Sequence, residues 1–344
     1  MELVFINLNM LRPKVMEKIN KYLALSKHNQ MTIGFYKGGK CYVFGSEENN
    51  RLFYDIGSIA KTITAHLILK LHDSQMLDIH KTIDSYLPLK RGKYPTIYQL
   101  LTHTAGYHNL TPIEITLPSL AVHGYARKNP YESCTANTVI KCLERRRFTR
   151  PKARYGYSDF ASAILATVAE SVTGTPFAEL FEKFVNEDLG LKESVIELDQ
   201  QKRMPLAAYS KRTLPFWRWK RDNPYIAGGG IVSNIGDVLK YIALQIESEL
   251  PYITKAHTVC KDSEIKGSNH LMCIGWHTYK KSNQLWHVGG VGTFRSSVIF
   301  NKHSKIGVAV LGNAKGTVSA NAHYLAKMLY SELKNKRIKT DKVY

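Results

Sequence analysis

Residues 54–73 read YDIGSIAKTITAHLILKLHD. A lysine stands three positions after a serine, at the head of a segment otherwise suited to burial. Positions i and i+3 share a helix face, so the amine of Lys61 can reach the hydroxyl of Ser58. The unpaired N–H groups and positive dipole end of a helix N-terminus favour an anion there, such as a developing alkoxide. A lysine among apolar side chains is pushed toward its neutral form, in which it can accept the serine proton. The plainer alternative is that Ser58 caps the helix and Lys61 sends a solvated tip outward. Ser-x-x-Lys alone is weak, since it also occurs at Ser263/Lys266 and Ser331/Lys334. Ser331 belongs to a polar C-terminal helix and Ser263 to the charged loop CKDSEIKGSNH. Only Ser58 precedes turns (Ile59, Ile63, Leu67, Ile68, Leu71) that are apolar enough to be internal.

Outward from this segment the pattern is mixed. A helix is expected over about 12–25, then two strands in MTIGFYKGGKCYVFG joined at Gly38-Gly39. Residues 58 to about 250 read as helix and loop, including SDFASAILATVAESVTG, ended by Gly174, and SNIGDVLKYIALQIESEL, capped by Ser/Asn and stopped before Pro251. Beyond 270 the texture turns to β, in LMCIGWHTYKK, QLWHVGGVGTFRSSVIFN and IGVAVLGN, and an amphipathic helix closes the chain. Strands at both ends with helices between imply an α+β protein. Its antiparallel sheet is built from both chain ends and flanked by helices, with an all-α region inserted. The expected division is a discontinuous sheet domain, 1–60 and 265–344, and a mainly helical domain, 61–264, with the site at their seam.

At 344 residues, 44% hydrophobic and 22% charged, the chain has ample material for a core. The five cysteines form no CxxC pair and no metal-ligand spacing, so buried thiols are expected and no metal. The start, MELVFINLNMLRPK, holds an apolar run of four residues, neither signal peptide nor membrane span. With Met1 as the native start a cytoplasmic protein is expected; a trimmed start would leave a periplasmic or extracellular one open. The balance of 48 basic to 28 acidic residues gives +20, a field that suits anionic partners, carboxylate-bearing substrates among them. The basic residues are dispersed apart from ERRRFTRPKAR (144–154), PFWRWKR (215–221) and KNKRIKTDK (334–342). FWRWKR alternates aromatics with cations, which suits a polyanion or membrane surface. No nucleic-acid-binding signature accompanies these runs, so no nucleic-acid partner is expected.

Two further motifs carry chemistry. In RYGYSDFASAILATVAESVTG, Tyr157-Ser158-Asp159 lies at a loop-to-helix junction, where a phenol can shuttle protons beside a lysine. Tyr107-His108-Asn109 rivals it by letters. In WHVGGVGTFRS, three glycines within five residues of a β segment mark a close approach to backbone. Such an edge can pair with an extended substrate and supply an N–H for an oxyanion; a bulge or tight corner is the alternative.

In this order the three motifs resemble those of the serine β-lactamase and penicillin-binding-protein superfamily, closest to the class C β-lactamase-like group. That group includes D-alanyl-D-alanine peptidases, D-aminopeptidases and esterases. The resemblance runs from about 30 to 330 and includes the framing segments YQLLTHTAGYHN and AGGGIVSNIGDVLKYI. THTAG matches a structural loop of the family, which favours Tyr157 over Tyr107. By this resemblance Ser58 is the nucleophile, Lys61 its base and Tyr157 the proton relay. His287-Val288-Gly289 pairs with substrate, and the N–H groups of Ser58 and Gly290 bind the oxyanion. The resemblance implies acyl transfer on a small molecule or peptide without metal or cofactor. The expected bond is one to a D-amino acid or a carboxylic ester, with β-lactams as alternative substrates. His287 stands where lysine is usual, as in peptidase and esterase branches. Asp159 replaces the usual asparagine; ionised, it cannot donate to a substrate carbonyl and raises the Lys61 pKa. A protonated Asp159, a different substrate, or a weakened protein that binds without turnover each fit this replacement.

Overall fold

The computed structural model describes residues 2–7, 9, 11–24, 30–45, 51–107, 129–145, 152–196, 217–313 and 318–335. His108, Asn109, most of the 108–150 segment and parts of all three basic runs lie outside these residues. The strands are β1 (Leu3–Ile6), β2 (Gln30–Lys37), β3 (Lys40–Phe44), β4 (Tyr54–Asp55), β5 (Val232–Ser233), β6 (Val259–Cys260), β7 (His270–Cys273), β8 (His277–Tyr279), β9 (Leu285–Val291), β10 (Phe294–Asn301) and β11 (Ile306–Asn313). The helices are α1 (Pro13–Ala24), α2 (Ala60–Asp73), α3 (Ile97–Leu101), α4 (Ala136–Leu143), α5 (Asp159–Thr173), α6 (Phe177–Lys183), α7 (Ile226–Gly229), α8 (Ile235–Glu247), α9 (Pro251–Thr254) and α10 (Val318–Asn335).

Nine strands form one sheet in the order β1-β3-β2-β11-β10-β9-β8-β7-β6. Both chain ends supply it, as their alternating and β-branched residues require. All pairs are antiparallel except β1 with β3, which run parallel. Gly38 and Gly39 make the β2–β3 turn with φ of 57° and 84°, a conformation open to glycine at both positions. The β-period divides the sheet into two faces. Ile33, Phe35, Val308 and Val310 meet Val15 and Ile19 of α1 and Leu325 and Leu329 of α10. Tyr36, Val43, Ala309 and Leu311 face the main core, which includes α8 and α2.

The four-residue run at the N-terminus is a strand, β1, because the edge of β3 offers it backbone partners. The helix-and-loop stretch also contains β5, which pairs with β4 just ahead of that stretch as a separate two-stranded ribbon, Tyr54 opposite Ser233 and Asp55 opposite Val232. Strands this short carry no readable period. The site depends on this ribbon, because β4 leads directly into the serine turn. Helix α8, expected within the helical region, packs on β2 and β11.

Helix α2 is buried on every side. Several of its polar atoms are satisfied internally: Thr62 Oγ1 lies 2.7 Å from Tyr241 Oη, Tyr241 Oη 2.9 Å from His66 Nδ1, and Thr64 donates to Ala227 O at 2.9 Å.

Candidate active site

Ser58 sits in a single 3-10 turn, Gly57–Ile59, between β4 and α2. No side chain caps α2. The Gly57 N–H instead donates to Asp55 Oδ1 at 2.9 Å. The Ser58 hydroxyl caps neither the turn nor the helix and faces Lys61. Asp55 is 2% exposed. Burial pushes its carboxyl up to about 8, against the opposing pull of the Gly57 N–H.

The Lys61 amine is buried and points at three acceptors. It donates to Ser58 Oγ at 2.9 Å and to Gly228 O at 2.6 Å, and pairs with Asp159 Oδ1 at 2.7 Å. The Tyr157 ring lies over the amine, its centroid 5.1 Å away, so its phenol interacts with both Lys61 and Ser58. Burial alone lowers a lysine; here the Asp159 charge, then Tyr157, outweigh it and hold Lys61 above its usual range. Tyr157 is itself raised, chiefly by burial and against the pull of Lys61. Lys61 is thus held toward its ammonium form, as an ionised Asp159 implies, against the neutral form that its apolar helix face alone favours.

Tyr157 and Asp159 reach the cleft through the N-terminus of α5. Ser158 caps it, accepting from Ala161 N at 3.1 Å, and Asp159 occupies the first turn, where the helix dipole favours a carboxylate. The THTAG loop holds this junction. Gly156 N donates to His103 O at 2.8 Å, Ser158 N to His103 Nδ1 at 3.3 Å, and the His103 ring lies 4.6 Å from that of Tyr157. Tyr107 is buried against Phe160, with ring centroids 5.6 Å apart.

The glycine strand has two faces. A Cβ on Gly289 would lie 1.9 Å from Ile56 O, and one on Gly57 2.6 Å from Gly290 N. Side chains at these positions would drive the serine turn away from β9. Gly290 is exposed and lines the cleft with Ser58. Gly289 and His287 lie behind the wall. His287 is fully buried, and its Nδ1–H donates to Val288 O at 2.8 Å, which leaves Nε2 without a partner. Burial, then the charge of Lys61, pushes it down to about 3, so it is a neutral ring behind Tyr157, at 6.2 Å between centroids.

The cleft offers about 180 Å³ of accessible space, a small site open to solvent. Its aromatic wall, Tyr131, Trp217, Trp219 and Tyr225, was not singled out from the sequence as site-forming. Trp217 and Trp219 are buried while Arg218 and Lys220 are exposed, so the alternation in WRWK turns its aromatics into the cleft and not toward a surface. A readable signal did exist, because Asn-Pro-Tyr occurs twice, at 129–131 and 223–225. In each, the Asn Oδ1 accepts from the Tyr N–H at 2.9 Å. The two tyrosine rings stack at 4.4 Å and 1°. Tyr131 then donates to Asp159 Oδ2 at 3.1 Å.

Of the other Ser-x-x-Lys pairs, Ser263 is fully buried, contrary to its charged loop. Its hydroxyl donates to Cys260 O at 2.6 Å and accepts from Met272 N at 2.8 Å, a structural latch. Among the described residues no cluster of side chains suits a metal, and no helix is long and apolar enough to cross a membrane.

The chain is 26% identical over 207 residues to a beta-lactamase of Providencia stuartii, covering 58% of this chain and 48% of that one. It is 24% identical over 241 residues to the teichoic acid D-alanine hydrolase of Staphylococcus aureus, covering 66% and 56%. The chain thus spans about half the length of these relatives. In fold it is similar to the octameric penicillin-binding protein homologue from Pyrococcus abyssi, with a TM-score of 0.73, 23% identity and 95% and 78% of the chains covered. It is also similar to a class C beta-lactamase, with a TM-score of 0.75, 16% identity and 94% and 96% covered. The Beta-lactamase family profile matches residues 20–331, and the chain belongs to that family.

Proposed function

We propose that the protein is a serine hydrolase that cleaves small esters or amides through an acyl-enzyme on Ser58. The observation that carries this reading is the contact of Ser58 Oγ with Lys61 Nζ at 2.9 Å, at the floor of a cleft and in reach of Tyr157. Ser58 Oγ attacks the acyl carbon, and the oxyanion sits between the backbone N–H groups of Ser58 and Gly290. Tyr157, beside Ser58 and Lys61, passes a proton to the leaving group and later helps activate the water that releases the acyl group.

The preferred bond in this reading joins a D-amino acid through a peptide or ester link, the chemistry named for the staphylococcal relative. The aromatic wall favours a compact, partly apolar acyl group. Arg295 lies against Gly290 at the edge of β9, 3.6 Å from where a Cβ would stand, and puts a cation near a substrate carboxylate. A second reading, a protein that binds in the cleft without turnover, rests on the protonated state of Lys61.

Intact-protein mass after incubation with a penicillin and, separately, with a D-alanyl ester decides between them. A stable or transient adduct on the wild type that Ser58→Ala lacks supports acyl transfer. Release of hydrolysed penicillin would add β-lactamase activity. Saturable binding of either compound with no adduct and no turnover supports the binding protein.

A further inference from the structure

The amine of Lys61 has three N–H bonds, and three acceptors take them: Gly228 O at 2.6 Å, Asp159 Oδ1 at 2.7 Å and Ser58 Oγ at 2.9 Å. In this arrangement no lone pair faces Ser58, so Lys61 must give up a proton before it can take one. A carbonyl oxygen such as Gly228 O cannot hold that proton, Ser58 is the group to be deprotonated, and the Tyr157 hydroxyl already carries one. Asp159 is the remaining partner able to accept it. We propose, resting on the acyl-transfer reading above, that Asp159 is the proton acceptor of the acylation step and that Lys61 relays the serine proton to it.

The step balances. A Lys61 Nζ–H proton moves to Asp159 Oδ1, and the Ser58 Oγ–H proton moves to Nζ as the Oγ–carbon bond forms on the substrate. When the tetrahedral intermediate collapses, the bond to the leaving oxygen or nitrogen breaks. Tyr157 gives that atom its proton and is reprotonated by Lys61, which recovers one from Asp159. Deacylation repeats the sequence with water in place of serine.

Two features make the transfer from Lys61 to Asp159 accessible. The pair is largely removed from water, with side-chain exposures of 3% and 17%. With little water to compete, the 2.7 Å contact is a short, direct path for the proton. Tyr131 also donates to Asp159 Oδ2 at 3.1 Å, which leaves Oδ1 as the oxygen that takes the proton. The other titratable groups facing the pair are Tyr157, Tyr225, His103 and His287. The two histidines are lowered by burial and by the Lys61 charge, and both tyrosines are raised, so none competes as a proton acceptor at neutral pH.

The test is the rate of Ser58 acylation by p-nitrophenyl acetate across pH, in the wild type and in Asp159→Asn and Asp159→Glu. The relay predicts a wild-type rate that is level across neutral pH. Asp159→Asn should be about 10²-fold slower near neutrality, in line with loss of a general base, with its rate recovering only toward the lysine range. Asp159→Glu should restore much of the rate. An Asn variant as fast as the wild type with the same pH profile overturns the relay while leaving the serine mechanism intact. Failure of the wild type to acylate overturns both. A measurement on the wild type alone guards against misfolded variants: two protons in flight give a bowed dependence of rate on deuterium fraction, and a straight line overturns the relay.

Discussion

Lys61 and Asp159 meet at 2.7 Å across the junction of two helices, α2 and α5, whose sequences share no local connection. The contact makes Lys61 an ammonium and leaves the aspartate with one oxygen on the lysine and the other on Tyr131. Removing either partner alone strands the other.

Lys61→Met should therefore destabilise the protein by about 3 kcal/mol, since it leaves a carboxylate mostly buried with only a tyrosine hydroxyl. Lys61→Met/Asp159→Asn should recover about 1 kcal/mol or more of that loss. Urea unfolding of the wild type, both single variants and the double variant measures the coupling. Single costs that simply add would show that the pair contributes nothing beyond its members.

Asp55 gives the fold a pH dependence of known sign. Its carboxyl titrates at about 8 in the folded protein against an ordinary value of 3.8. Between these two values the native state holds a proton that the unfolded chain has released. Stability from this group is therefore full below 3.8, falls as pH rises, and is lost above about 8. The loss amounts to about 1.4 kcal/mol per pH unit crossed. Asp55→Asn keeps the oxygen that accepts from Gly57 and removes the titration, so unfolding midpoints in urea should become flatter between those limits. An unchanged slope would remove Asp55 as its source.

Gly289→Ala should damage activity more than its small size suggests. Its Cβ would lie 1.9 Å from Ile56 O and 2.3 Å from Ser296 Oγ, so the serine turn must shift. A stability loss of about 1–3 kcal/mol is expected, with acylation of Ser58 reduced further than the loss of folded protein explains. Gly290→Ala is the comparison, since the nearest atoms there, on Arg295, lie at 3.6 Å. Equal effects of the two substitutions would contradict the close-approach account.

All five cysteines are free and buried. Burial pushes the thiols of Cys41, Cys134 and Cys273 up to about 12, far from the reactive thiolate. Native protein at mildly alkaline pH should resist thiol labelling, and denaturant should expose all five. Labelling of one cysteine in the folded protein, counted by mass, would show a reactive site that burial does not predict.

Several features were legible in the order of residues alone. The serine and lysine spaced by three, the tyrosine at a helix start and the glycine run in a late strand are local signals, set by helix and strand periods and by where side chains must be absent. The sheet from both chain ends and helices such as α5, with its Ser158 cap, follow from the same rules. What the sequence could not show is long-range. The ribbon of β4 and β5 is too short for a period. The turn of Trp217 and Trp219 into the cleft depends on Trp217 packing against Tyr131 and Trp219 against Trp217, and the twin Asn-Pro-Tyr turns acquire meaning only when their rings stack. The charge state of Lys61 was decided last. Its apolar helix face favours a neutral amine, and the tertiary fold overrides that preference by setting Asp159 beside it, because a charge at 2.7 Å in a dry site outweighs desolvation.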